Sequence, residues 1–146
     1  MLEYIKIDYD RKRVSSLFYK QFIKLFVNLL HAKNIKIDKI DIKESRKGFH
    51  ILIKLNKKIT VEESLLFSLI LYSDRTRELY NYCRHLYGKS KTFNFFSKRK
   101  VLDCNGVKIV SVERDTRRSR KIKRKLIKLN LRIMEGDYTI TLGKYF

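Results

Sequence analysis

The chain is predicted to be an α+β domain of the ferredoxin-like, split βαβ kind, βαββαβ in order, followed by a basic helix and a final strand. Three observations predict this. Tyr4 to Asp10 and Phe49 to Leu55 alternate apolar and polar residues with the period of two that a half-buried strand requires. Between them, Ser16 to Leu30 repeats its apolar residues with the period of a helix. A capping-box spacing, Thr60-Val61-Glu62-Glu63, opens a second helical stretch immediately after the third strand.

In the first strand Ile5, Ile7 and Tyr9 form one face, and Tyr4, Lys6, Asp8 and Asp10 the other. The helix that follows places Leu17, Phe18, Phe22, Leu25, Phe26, Leu29 and Leu30 inward, with Ser15 or Ser16 as its N-cap. Ile35 to Lys43 is the second strand, with Ile40 and Ile42 inward and a register break near Asp38-Lys39. A glycine turn, Ser45-Arg46-Lys47-Gly48, leads into the third strand, which Asn56-Lys57-Lys58 is expected to end. The second helical stretch breaks near Ser73-Asp74, and its second piece runs to Tyr87, closed by Gly88. Lys100 to Val112 predicts a hairpin about Asn105-Gly106. Arg117 to Met134 predicts a helix with Ile122, Leu126, Leu129 and Ile133 on one stripe, and Tyr138 to Leu142 a last strand.

Composition narrows the function. The formal charge is +20, from 35 Lys and Arg against 15 Asp and Glu, yet 44% of residues are hydrophobic. That apolar content excludes a disordered basic tail and leaves a folded domain with a polyanionic partner. Residues 1–88 carry +8 (18 basic, 10 acidic) and 89–146 carry +12 (17 basic, 5 acidic). Much of the second figure lies on the last helix, where Arg117, Arg118, Arg120, Lys121, Lys123, Arg124, Lys125 and Lys128 occur with no acid between them. These eight are the candidate nucleic-acid contacts. The plain alternative is a solvated basic face.

Cys83 and Cys104 are too few for a zinc ribbon or a disulfide framework and are expected to be small buried residues. Met1-Leu2-Glu3-Tyr4 does not begin a signal peptide, and no apolar run approaches membrane-spanning length. The expectation is a cytoplasmic protein with no membrane partner. A single alanine, no proline or tryptophan, and abundant Lys, Ile, Asn and Tyr fit an AT-rich genome such as that of a virus or plasmid, whose product would work in the host cytoplasm.

In the split βαβ plan the first and third strands are neighbours, and both helices cover the face that holds Ile5, Ile7, Ile51 and Ile53. The other face then brings Asp8 and Asp10 beside His50 and Lys54. Two carboxylates at i and i+2 suit a hard divalent cation, and a histidine and lysine on the next strand suit phosphates. The competing reading is a strand end whose acids pair in solvent with Arg11-Lys12-Arg13.

Asp8-Tyr9-Asp10, followed by Ser45-Arg46-Lys47-Gly48-Phe49-His50, resembles the first two motifs of the archaeo-eukaryotic primase superfamily: a D-x-D pair and an S-G-x-G-x-H turn on an RRM-like palm. Arg46 stands where the motif has its first glycine, and the family's zinc element is missing. The resemblance implies that Asp8, Asp10 and His50 are catalytic. It implies further that Asp8 and Asp10 hold Mg²⁺ or Mn²⁺ and that Ser45 and His50 contact the nucleotide's phosphates, to which the strand geometry adds Lys54. The third motif's aspartate is Asp103 in Leu102-Asp103, with Asp74 in Asp74-Arg75-Thr76-Arg77 as its rival. Residues 1–112 would then be the palm with its hairpin, and 113–146 the basic helix and terminal strand packed on the same domain.

The function expected is nucleic-acid binding, DNA ahead of RNA, with a primase-like or nucleotidyltransferase-like palm in the replication of a virus or plasmid. A host polymerase or replication protein and a second copy of the chain are the further partners considered. One alternative is a non-enzymatic basic protein that coats DNA or inhibits a host nucleic-acid machine. Another follows from Tyr80, Tyr82 and Tyr87, which with the His50 strand resemble the rolling-circle nickases. The second histidine of their His-hydrophobic-His strand is replaced here by Leu52, and the tyrosines are expected to be packing residues.

Overall fold

The computed structural model describes residues 2–88, 98–103, 106–111 and 113–136. Among these residues nine elements follow in order. They are β1 (Leu2–Tyr9), α1 (Ser16–Lys33), β2 (Ile37–Glu44), β3 (Phe49–Ile59), α2 (Val61–Ile70), α3 (Arg75–Leu86), β4 (Lys98–Asp103), β5 (Gly106–Ser111) and α4 (Arg117–Glu135). The architecture is α+β. An antiparallel sheet has the order β1-β3-β2, and β4 and β5 pair in a separate two-stranded sheet, with Asp103 opposite Gly106. The expected last strand, Tyr138 to Leu142, lies outside the described residues.

Alternation decides which face of the sheet is covered. Ile5 and Ile7 of β1, Ile40 and Ile42 of β2, and Phe49, Ile51, Ile53 and Leu55 of β3 share one face and are buried. Phe18, Phe22, Phe26 and Leu29 of α1 pack on them in one cluster. So do Ile122, Leu126, Leu129 and Ile133 of α4, the stripe its periodicity predicts. α4 lies along β2 and against α1, and Lys123 beside Asp41 (3.7 Å) and Lys125 over the Tyr19 ring (4.1 Å) fix its rotation.

The strand boundaries differ from expectation in two places. β3 does not stop at Asn56-Lys57-Lys58 but runs to Ile59, which is buried and pairs with Leu2. β1 ends at Tyr9, so Asp10 falls just beyond the strand. The register break expected near Asp38 is present between Ile37 and Lys39.

The larger departure is at the outer edge of β1. No strand among the described residues pairs there; α2 lies along it instead. Ser64 Oγ donates to the carbonyl of Tyr4 (3.1 Å) and Ser68 Oγ to that of Lys6 (2.9 Å). The amide of Asp8 donates to Ser73 Oγ (2.9 Å), and the amide of Asp74 donates to the carbonyl of Asp8 (2.8 Å). Hydroxyls and one amide thus satisfy groups that a fourth strand would otherwise take. The turn that allows this is a Schellman closure. Tyr72 adopts φ 62°, its amide bonds the Leu69 carbonyl (3.1 Å), and that of Ser73 bonds the Ser68 carbonyl (2.9 Å).

A second clamp forms at the opposite corner. Glu44 pairs in both directions with Arg114 through backbone hydrogen bonds of 2.7 and 2.8 Å. Its carboxylate accepts from Lys12 Nζ (2.9 Å) and from Thr116 Oγ1 (2.9 Å), the N-cap residue of α4. The Lys12 hydrogen bond, with help from Thr116, holds the Glu44 carboxyl below the usual glutamate range. Lys12 therefore serves Glu44, not the acids at the end of β1.

Gly48 is required by close approach. A Cβ there would lie 1.8 Å from the Tyr9 carbonyl oxygen and 2.6 Å from the Arg11 amide nitrogen, both of them backbone. Gly48→Ala is expected to push residues 9–11 away from the turn and to cost about 2–4 kcal/mol in chemical denaturation. A loss within experimental error would show that the two segments do not cross there.

Candidate functional site on the open face of the sheet

The face of the sheet opposite the core carries Lys6 and Asp8 on β1 and His50, Leu52 and Lys54 on β3. Asp8 and His50 are direct cross-strand partners, as expected, because β1 and β3 are neighbours in that register. His50 Nε2 stands 3.6 Å from Asp8 Oδ1, an ion-pair distance slightly too long for a hydrogen bond. The other ring nitrogen, Nδ1, is 2.8 Å from Glu113 Oε2. His50 is only 7% exposed, so each ring nitrogen has a carboxylate and the imidazole is closely held.

Two further groups come from α3 and its cap. Asp74 caps α3, its carboxylate accepting from the Arg77 amide (3.4 Å). Arg77 pairs with Glu78, which is buried and also accepts from Ser73 Oγ (2.9 Å). Burial pushes the Glu78 carboxyl up, opposed by Arg77 and by its hydrogen bonds. Burial likewise raises the Asp8 carboxyl, against the pull of His50 and Arg77, with Asp10 and Asp74 adding to the rise. Lys6 is pushed down by burial and then by Arg77, with Glu113 opposing. Charged and titratable side chains from separate segments of the chain therefore share one field.

The other expected site residues are placed as follows. Asp10 is exposed beyond the strand end, near enough to Asp8 to affect it. Ser45 is buried, and its hydroxyl accepts from the Gly48 amide (3.1 Å), closing the turn rather than facing the open surface. Lys54 is exposed four residues along β3 from His50, ~13 Å away at strand rise. Asp74 sits beside Asp8 through the hydrogen bond between their backbones, whereas Asp103 lies at the turn end of the separate hairpin. Of the two rivals, Asp74 is the one whose side chain lies among the described residues.

Sequence reading missed Glu113. It is 63 residues from His50 and lies in the short link before α4, where no periodicity marks it. Two smaller expectations are corrected. Tyr80, Tyr82 and Tyr87 are not packing residues: they are 64%, 42% and 81% exposed, because α3 turns Glu78 and Asn81 inward instead. On the same helix His85 Nε2 lies 2.9 Å from Glu62 Oε1 of α2. Cys83 is a free thiol and only half-buried.

The fit to a divalent cation is poor in this arrangement. Asp8 is turned toward His50, Asp74 serves its own helix, and Asp10 stands outside the strand. Among the described residues no three His, Cys, Asp or Glu side chains are grouped to hold a metal. No helix among them is long and apolar enough to cross a membrane. Comparison of the chain with family models, with curated proteins and with solved structures finds no match.

The raised carboxyl of Asp8 makes a stability prediction. Its folded pKa lies above its unfolded value of ~3.9, so stability falls as pH rises through that value and the ionised side chain weighs against the fold at neutral pH. Asp8→Asn is expected to raise the melting temperature at pH 7, with the gain absent below about pH 3.5. A destabilised Asn variant at pH 7 would mean that pairing with His50 and Arg77 outweighs burial.

Proposed function

We propose that the chain binds nucleic acid, DNA ahead of RNA, by laying the outer side of α4 along the phosphate backbone. One observation carries this. Arg117, Lys121, Arg124 and Lys128 recur at i, i+4, i+7 and i+11, on the side of α4 opposite its buried stripe, and all four are exposed. They span ~16 Å of helix. Arg118 is exposed on a flank, as is Arg120, which pairs loosely with Asp115 (3.4 Å). The apolar stripe anchors the helix and leaves like charges stacked in water, a cost that phosphates relieve.

The scaffold reading that goes with this is a ferredoxin-like, RRM-like palm. Its support is the order β1-β3-β2, antiparallel throughout, with α1 across one face. A replication-related protein of a virus or plasmid is the setting proposed. Non-enzymatic binding is the leading form, because Asp10 lies beyond the end of β1 and the Asp74 carboxylate caps its own helix.

A second reading, a primase-like nucleotidyltransferase, is favoured by Asp8 lying beside His50. It requires Asp8 and Asp10 to converge on Mg²⁺ or Mn²⁺, and nucleotide incorporation dependent on both residues would establish it.

Replacing Arg117, Arg118, Lys121 and Arg124 by Gln is the test of the leading reading. Every phosphate that the variant no longer neutralises should flatten the slope of log K against log salt by about 0.9, so the slope should shrink by about 3–4. The folded chain should be unchanged or slightly more stable, since like charges at i, i+4 repel. An unchanged slope would remove α4 from the interface.

A further inference from the structure

α3 is built inside out. Its buried side chains are Glu78 and Asn81, while Leu79, Tyr80, Tyr82, Leu86 and the following Tyr87 are exposed. A helix on a domain surface ordinarily turns its apolar stripe inward, so aromatic side chains left in water point to a partner. The inversion has a local cause: the inner side of α3 faces the charged cluster, where Glu78 meets Ser73 and Arg77.

The outer side has a repeating chemistry. Tyr80, Arg84 and Tyr87 recur at i, i+4 and i+7 and so share one face. With Cys83 they line a recess of about 430 Å³. The only carboxylate of α3, Glu78, is buried, so the outward side of this helix takes its chemistry from arginine and tyrosine.

We propose that this face of α3 is a stacking platform for the unpaired bases of a single nucleic-acid strand. The phenol rings of Tyr80 and Tyr87 meet base faces, and Arg84 between them lies where the connecting phosphates pass. Stacking of this kind accepts any base, because every base has a π face, and it is closed to a duplex, whose faces are already stacked. The inference rests on nucleic-acid binding through α4 and adds the strandedness of the ligand. Tyrosine and arginine anchor protein interfaces as well, so the charge of the chain decides between the two partners. The alternation of tyrosine with arginine, in a chain of charge +20, fits a polyanion with aromatic bases.

The test measures binding of the full chain to three labelled probes of equal length: a single-stranded DNA, the same backbone with abasic sites throughout, and a duplex. The Tyr80→Ala, Tyr87→Ala double variant is expected to lose about 25-fold or more on the base-bearing single strand and to bind the abasic strand as before. The matching Tyr→Phe pair should retain wild-type affinity. Both side chains are exposed, so the variants keep the fold, which the melting temperature checks. Equal loss on base-bearing and abasic strands, or no loss on either, overturns the platform. The α4 glutamine variant separates the two levels. If it weakens all three probes while the tyrosine pair has no effect, only the stacking inference fails. If it weakens none, the nucleic-acid reading beneath it fails as well.

Discussion

The outer edge of β1 has to be satisfied by something, since the carbonyls of Tyr4, Lys6 and Asp8 and the amide of Asp8 point away from β3 there. An unpaired edge group taken out of water costs about 1–3 kcal/mol, and an open edge invites pairing with another chain. Here the solution is a helix that carries serines on its buried side. Ser64 and Ser68 are completely buried, Ser73 nearly so, and each meets one backbone group of β1. Everything on the open face follows from this arrangement. The same turn that brings Ser73 to Asp8 brings Asp74 to it as well, and Asp74 starts the helix that delivers Arg77 and Glu78.

The electrostatics of the site are the consequence. Asp8 is fixed at its backbone from one side and faces His50 on the other, and it is partly withdrawn from water with acids on either hand. A surface designed only for stability would not gather Lys6, Asp8, His50, Arg77, Glu78 and Glu113 in one place, because partial burial of each costs energy that pairing returns incompletely. Clusters of this kind concentrate where a chain does its work. On the far side of the domain α4 does the reverse. Its apolar stripe is buried as any amphipathic helix would bury it, and apart from the half-buried Lys123 and Lys125 its charge is left outside.

Much of the fold was legible in the sequence, for reasons that can be traced to particular residues. Ile5 and Ile7 against Lys6 and Asp8 fix the inward face of β1, and Ile122, Leu126, Leu129 and Ile133 fix that of α4. Thr60 with Glu63 marks the start of α2 through a capping box that forms in full. The cross-strand meeting of Asp8 with His50 was legible too, because neighbouring strands in a known order leave little freedom of register. What escaped was set by contacts distant in sequence. Glu113 reaches His50 across 63 residues, and nothing local distinguishes it from any other acid before a helix. α3 misled because its inner side faces charges, so the usual inference from apolar spacing to burial ran backwards. One signal was available and unused: serines at 64 and 68, four apart on an otherwise apolar helix, mark a buried face that meets polar groups.

The proposed nucleic-acid contacts fall on the outer stripe of α4, away from the charged face of the sheet that α3 adjoins. The most direct measurement is lysine reactivity, mapped residue by residue with and without bound DNA. Lys121 and Lys128, exposed on the outer stripe, should become protected, while Lys123, beside Asp41, and Lys33, paired with Glu63, should react as before. Protection that spares Lys121 and Lys128, or falls evenly on every lysine, would contradict the assignment of α4 as the nucleic-acid surface.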